Sequence, residues 1–187
     1  MKRAILGKVL MAAALVMGVA AAADKGNSNA PRSGADLEKS VRHEILMYSS
    51  YTLWDDISFR IDNGHVSLLG AVSQPYKKAD IERLVQRIPG VASVTNEVKV
   101  LPLSPQDDRL RLQVARAIFR DPALSRYAMG AVPAIHIIVE NGRVTLTGAV
   151  NNNLEKQVAG IRASAAGLSF GPVTNNLTVD NPPAKKG

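Results

Sequence analysis

Three histidines, sixteen carboxylates and a scatter of serines are the groups of this 187-residue chain that could do acid–base, metal or nucleophilic chemistry. His43 falls in a predicted helix, His65 beside a turn and His136 on a predicted strand. No two share ligand spacing such as i, i+4 on a helix, and no carboxylate cluster accompanies them. Solvent-facing positions are expected for all three. Cysteine is absent, which removes disulfides, thiolate metal sites and Cys nucleophiles together. Asp107 and Asp108 could pose as paired acids, but adjacent positions at a helix start suit capping and dipole complementation better. Ser67 has no patterned His and acid partners. Asn63-Gly64 and Asn141-Gly142 could suggest phosphate cradles, yet each joins two predicted strands, whereas a phosphate loop opens a helix. The residues therefore predict no catalytic, metal or cofactor site.

Binding is better supplied. At about 100° per residue, Arg109, Gln113, Arg116 and Arg120 fall on one face of a predicted helix. Leu110, Val114, Ala117 and Ile118 form its core stripe. Leu112, Ala115 and Phe119 form a second apolar stripe, and Arg126, Tyr127 and Met129 follow in the connecting loop. A cationic row beside an apolar row suits an anionic phospholipid surface, where Arg meets phosphate while Phe and Leu enter the acyl boundary. The competing reading packs Leu112 and Phe119 against the first half of the chain and leaves the arginines merely solvated. Tyr48, Tyr51, Leu53 and Trp54 form a second cluster. Their amphipathic rings favour interfaces, so Trp54 joins the candidate surface, although core filling is the commoner fate of a lone Trp.

The elements that position these residues occur twice. Residues 62–72 read DNGHVSLLGAV and residues 140–150 read ENGRVTLTGAV; 94–100 read VTNEVKV and 173–179 read VTNNLTV. Upstream, Leu37, Val41 and Ile45 answer to Leu110, Val114 and Ile118. In the first copy Leu37, Val41, Ile45 and Tyr48 line a helix that Asp36 or Ser33 could cap. Ile57, Phe59 and Ile61 alternate as a strand, Asp62-Asn63-Gly64 signals a hairpin, and Val66, Leu68 and Val72 return. Pro75 suits the first turn of a second helix with Ile81, Leu84, Val85 and Ile88 inward, and Val94, Val98 and Val100 close the sheet. The second copy repeats this with strands at Ile135–Val139 and Val144–Val150. Its second helix is predicted to face the core with Leu154, Val158, Ile161 and Ala165, and Val173, Leu177 and Val179 make its last strand. The fold class is thus α+β: two tandem α-β-β-α-β sandwiches, each with two helices on one face of a three-stranded sheet. Cores this small are expected to pack together.

The ends read differently. Residues 1–23 (MKRAILGKVLMAAALVMGVAAAA) carry Lys2, Arg3 and Lys8, an apolar stretch and an Ala-x-Ala site, the layout of a cleaved signal peptide. The run after Lys8 is too short to span a bilayer comfortably, so no transmembrane segment is expected after cleavage. Residues 24–34 read as a flexible linker, 35–101 and 106–180 as the two domains, and 181–187 as a disordered tail. The formal charge is +7; without the three signal-peptide cations, 20 cations face 16 anions, a mild +4. Such a surplus on an exported chain does not call for nucleic acid.

The paired pattern NG-x-V-[ST]-L-x-G-x-V followed by V-T-N-x-[VL]-x-V resembles the BON domain, named for bacterial osmotically inducible and nodulation proteins. Two copies cover nearly all of the chain after its signal, similar to a dual-BON periplasmic protein. The resemblance implies a non-catalytic role at the bacterial envelope, under stress, with phospholipid or protein partners. Lipoprotein members carry a lipidated Cys after the signal; this chain does not. The leading expectation is reversible attachment to anionic phospholipid through Arg109, Leu112, Arg116, Phe119, Arg120, Arg126, Tyr127 and Trp54. The alternative is a protein-interaction or chaperone-like stress protein of the periplasm using the same stripe or the sheet face around Leu69 and Ile138.

Overall fold

A computed structural model of the chain describes residues 34–130, 132–167 and 171–180. The expected signal peptide at 1–23, residues 24–33 of the expected linker and the expected tail at 181–187 lie outside the described residues. Helix α1 (Gly34–Leu46) begins on the last residue assigned to the linker and buries Leu37, Val41 and Ile45 at four-residue spacing. Strands β1 (Asp56–Asp62) and β2 (His65–Val72) pair antiparallel, with Asp62 opposite His65 and Phe59 opposite Leu68. Asn63 and Gly64 close that hairpin at φ 48° and 82°, the left-handed geometry that Asn and Gly accept most readily. Helix α2 (Pro75–Gln86) follows, with Pro in its first turn. Leu37, Val41 and Ile45 of α1, Val66, Leu68 and Val72 of β2, and Ile81 and Val85 of α2 make one core.

The second copy runs α3 (Pro105–Phe119), a 3-10 turn (Ser125–Ala128), β5 (Ile135–Glu140), β6 (Arg143–Val150) and α4 (Asn153–Ser164). Its core draws on Val114, Ile118, Ile137, Leu146 and Leu177. The closing strand, predicted as one piece, is two in each copy. β3 (Ser93–Asn96) and β4 (Lys99–Val100) both run parallel to β2; β7 (Thr174–Asn175) and β8 (Thr178–Val179) both run parallel to β6. The cause is the Asn of each V-T-N motif. Asn96 Oδ1 accepts the Val98 N–H at 3.1 Å, and its Nδ2 donates to the Lys78 carbonyl on α2 at 2.9 Å. Asn175 does the same with Leu177 and with Lys156 on α4. The chain kinks there, and Val98 and Leu177 turn into the cores.

Two sequence expectations are corrected in the second copy. Leu154 and Ile161 of α4 are 66% and 65% exposed, and the helix instead buries Glu155, Ala159 and Ala163. These are the positions of Lys77, Ile81 and Val85 on α2. The stripe of largest apolar residues is therefore rotated off the buried face. The core draws instead on Leu124, Phe119 and Tyr127 from the end of α3 and the segment after it. Asp107 is not the helix cap. Ser104 caps α3 by accepting the Asp107 N–H, while the Asp107 carboxylate accepts the N–H groups of Asn141 and Gly142 at 2.9 and 2.8 Å.

The two copies meet through the segment before β1. The Ile137 N–H on β5 donates to the Leu53 carbonyl at 2.7 Å, so Leu53 extends the edge of the second sheet by one backbone bond. Leu53 and Trp54 pack on the second core. Tyr51 lies over His136, ring centroids 5.3 Å apart. Lys99 reaches Glu140 at 2.7 Å. His136 is thereby buried, against the expectation that all three histidines face solvent. His43 is exposed on α1, and His65 is half-buried with its ring nitrogens 2.6 Å from Ser93 Oγ and 3.1 Å from Thr95 Oγ1.

Candidate functional site

Helix α3 presents its arginine row outward because Leu110, Val114 and Ile118 fix the opposite face in the core. Arg109, Arg116 and Arg120 are exposed. The row covers twelve residues, about 16 Å at the helical rise. The acids bracketing it are already engaged: Asp108 pairs with Arg111, and Asp121 pairs with Arg162 on α4 at 2.7 Å. The Arg162 guanidinium holds the Asp121 carboxyl below its ordinary value. Arg109 Nε donates to the Pro105 carbonyl, and among the described residues Arg116 and Arg120 have no carboxylate partner.

The second apolar stripe divides. Leu112 is 47% exposed, whereas Ala115 and Phe119 are half-buried against the core of their own domain. Neither simple alternative describes it: Phe119 is not free, and it is the second core that it covers. Leu112 borders a crevice of about 260 Å3 shared with Trp54 and the connecting residues Pro102 and Leu103. Trp54 is half-buried between the two copies.

Arg126 and Tyr127 belong to a different construction. Glu155, buried at the start of α4, takes the Arg126 guanidinium on one oxygen and the Tyr127 hydroxyl on the other at 2.5 Å. Arg126 also stands over the Tyr127 ring, 5.1 Å from its centroid. Burial pushes the Glu155 carboxyl up, but the Tyr127, Arg126 and Asn151 bonds outweigh it and hold it low. Arg126 is thus a half-exposed cation already spent on an internal anion, and Tyr127 is its support.

Sequence reasoning missed the matching cluster in the first copy. Asp55, fully buried, accepts from Lys77 Nζ at 2.6 Å and from backbone and hydroxyl groups of Thr52 and Ser73 at 2.7 to 2.9 Å. Its desolvation is outweighed by those bonds, and its carboxyl is held below the ordinary value. The sequence also hid the outward Leu154 and Ile161, which share the helical layer with the arginine row. Among the described residues no group of three His, Cys, Asp or Glu could hold a metal, and no helix is long and apolar enough to cross a membrane.

A family model described as BON domain matches residues 33–102 and again residues 106–181. No curated protein matches the chain. Two solved structures with limited similarity are of CdsD, described as a structural protein of the Type III secretion system of Chlamydia trachomatis. One is 16% identical with a TM-score of 0.30, covering 77% of this chain and 61% of that chain. The other, of the C-terminal domain, is 15% identical with a TM-score of 0.30, covering 79% and 66%. The chain spans less than two thirds of the length of either.

Proposed function

The chain belongs to the BON domain family, in two tandem copies, and on that premise we propose a non-catalytic envelope module, exported to the periplasm, that attaches reversibly to anionic phospholipid through α3. One observation carries the reading: Arg109, Arg116 and Arg120 stand exposed in a row whose flanking acids are paired elsewhere. Cations with no internal counter-charge keep their attraction for an anionic surface. The half-exposed Leu112 beside them, and Leu154 and Ile161 in the same helical layer, supply apolar contact at the acyl boundary. Arg126, Tyr127 and Phe119 support this surface by holding the 3-10 turn and α4 in place, and Trp54 fixes the first copy beside it.

Co-sedimentation with vesicles tests it. Binding is expected to phosphatidylglycerol vesicles and not to phosphatidylcholine vesicles, weakening as salt rises toward physiological strength, where exposed charges are screened beyond about 8 Å. Arg116→Glu with Arg120→Glu is expected to weaken binding by at least about 2 kcal/mol, roughly thirtyfold, at about 1 kcal/mol per surface cation. Unchanged binding by the double variant would remove α3 as the site. Salt-insensitive capture by both vesicle types would remove the electrostatic reading.

A further inference from the structure

The two hairpin turns are built alike and finished differently. Asn141 and Gly142, at φ 52° and 74°, point consecutive N–H groups into a groove between the start of α3 and the turn, and the Asp107 carboxylate accepts one with each oxygen. Asp107 is buried there. In the first copy Asn63 and Gly64 hold the same conformation at 48° and 82°. Counting from the shared core residues Leu37 and Leu110, the position of Asp107 is taken by Gly34. Among the described residues, a Cβ at Gly34 would meet nothing within 4 Å. The turn faces a groove of about 720 Å3, floored by Leu37, Phe59 and Ile61; the corresponding groove of the second copy is of like size, about 730 Å3, and differs in that the Asp107 carboxylate there occupies the turn N–H groups. Among the described residues the Asn63 and Gly64 N–H groups have no acceptor.

We propose that this groove of the first copy binds the side-chain carboxylate of an acidic peptide segment from a protein partner, gripping it through the Asn63 and Gly64 N–H groups as the second copy grips its own Asp107. Adjacent N–H groups in left-handed turn geometry form a concavity for an anion. The planar, two-oxygen acceptor seen on the sister turn identifies the anion as a carboxylate. The start of α1 adds the positive end of its dipole. Glu38 at the rim is countered by Arg42, which pairs with it at 3.0 Å and lies 5.6 Å over the Phe59 ring, and the neighbouring Asp62 carboxylate accepts from the Asn63 side chain at 3.0 Å. The apolar floor receives the peptide's neighbouring side chain. This site is separate from the α3 surface, and its outcome is independent of lipid binding.

Amide NMR of the whole chain tests it, with N-acetyl-aspartate amide as probe, N-acetyl-asparagine amide as uncharged control and inorganic phosphate as a second anion. The Asn63 and Gly64 resonances are expected to move saturably with the aspartate probe and to stay still with the control, while Asn141 and Gly142 do not respond. Gly34→Asp, which places a carboxylate where the second copy has one, is expected to weaken the probe's apparent affinity at least about tenfold. A response to phosphate without one to aspartate, an equal response to the asparagine control, or an unaltered response in Gly34→Asp would each overturn the proposal.

Discussion

Lys77 and Glu155 occupy the same third position of their helices, both buried, and carry opposite charges. Each is matched by a counter-charge from an earlier loop: Asp55 for Lys77, Arg126 for Glu155. Removing one member of a buried pair strands the other in a low-dielectric site. Asp55→Ala is therefore expected to cost about 3–5 kcal/mol in urea unfolding at neutral pH, and adding Lys77→Met to recover much of it. Because the folded Asp55 carboxyl is held low, its contribution is complete above the unfolded aspartate value and lost as pH falls through the folded one. If Asp55→Ala unfolded at the wild-type midpoint, the pair would be only a surface contact. None of this was legible in the sequence. A Lys in the first turn of an amphipathic helix reads as solvated, and its partner lies 22 residues away. The exposed arginines were legible because helical spacing alone places them opposite the core; that Arg126 is engaged by Glu155 was not.

At the scale of elements, hairpins and helices follow from local signals, and helix rotation does not. Asn-Gly turns and alternating strands are short-range chemistry, so β1–β2 and β5–β6 sit where their patterns place them. The rotation of α4 depends on what the opposing layer leaves room for, and it buries two alanines in preference to Leu154 and Ile161. Comparison with α2, whose Lys77, Ile81 and Val85 align with Glu155, Ala159 and Ala163, is the signal that could have found it. The glycine near the end of each second strand is also fixed by long-range packing. Gly148 has φ 104°, and a Cβ there would lie 2.2 Å from the Ala134 carbonyl oxygen. Gly148→Ala is expected to destabilise by about 2 kcal/mol or more, from backbone strain plus overlap. Gly34→Ala, with open space at its Cβ among the described residues, is expected to be neutral or slightly stabilising. Thermal unfolding of the two variants side by side separates local crowding from a general intolerance of substitution.

Across the whole molecule, the contact between copies is made of few groups, and the buried imidazole of His136 is among them. Burial under the first copy pushes the His136 imidazole below its ordinary value, against an opposing pull from Asp56 and Asp55. The unfolded chain then takes up a proton that the folded chain refuses, so stability falls as pH drops below the ordinary histidine value of about 6.5. The melting temperature is expected to fall less between pH 7.5 and pH 5 in His136→Phe than in the parent, and equal losses would assign the acid sensitivity to other groups. The opposed charges of Lys77 and Glu155 have a consequence for a chain that must fold two look-alike units in succession. Repeats of similar sequence are prone to exchange elements while folding. Were α2 to dock in the place of α4, Lys77 would meet Arg126, and α4 in the place of α2 would set Glu155 against Asp55. Each mistaken assembly buries like charges together, so the polarity of a single residue rejects the wrong partner before packing is complete.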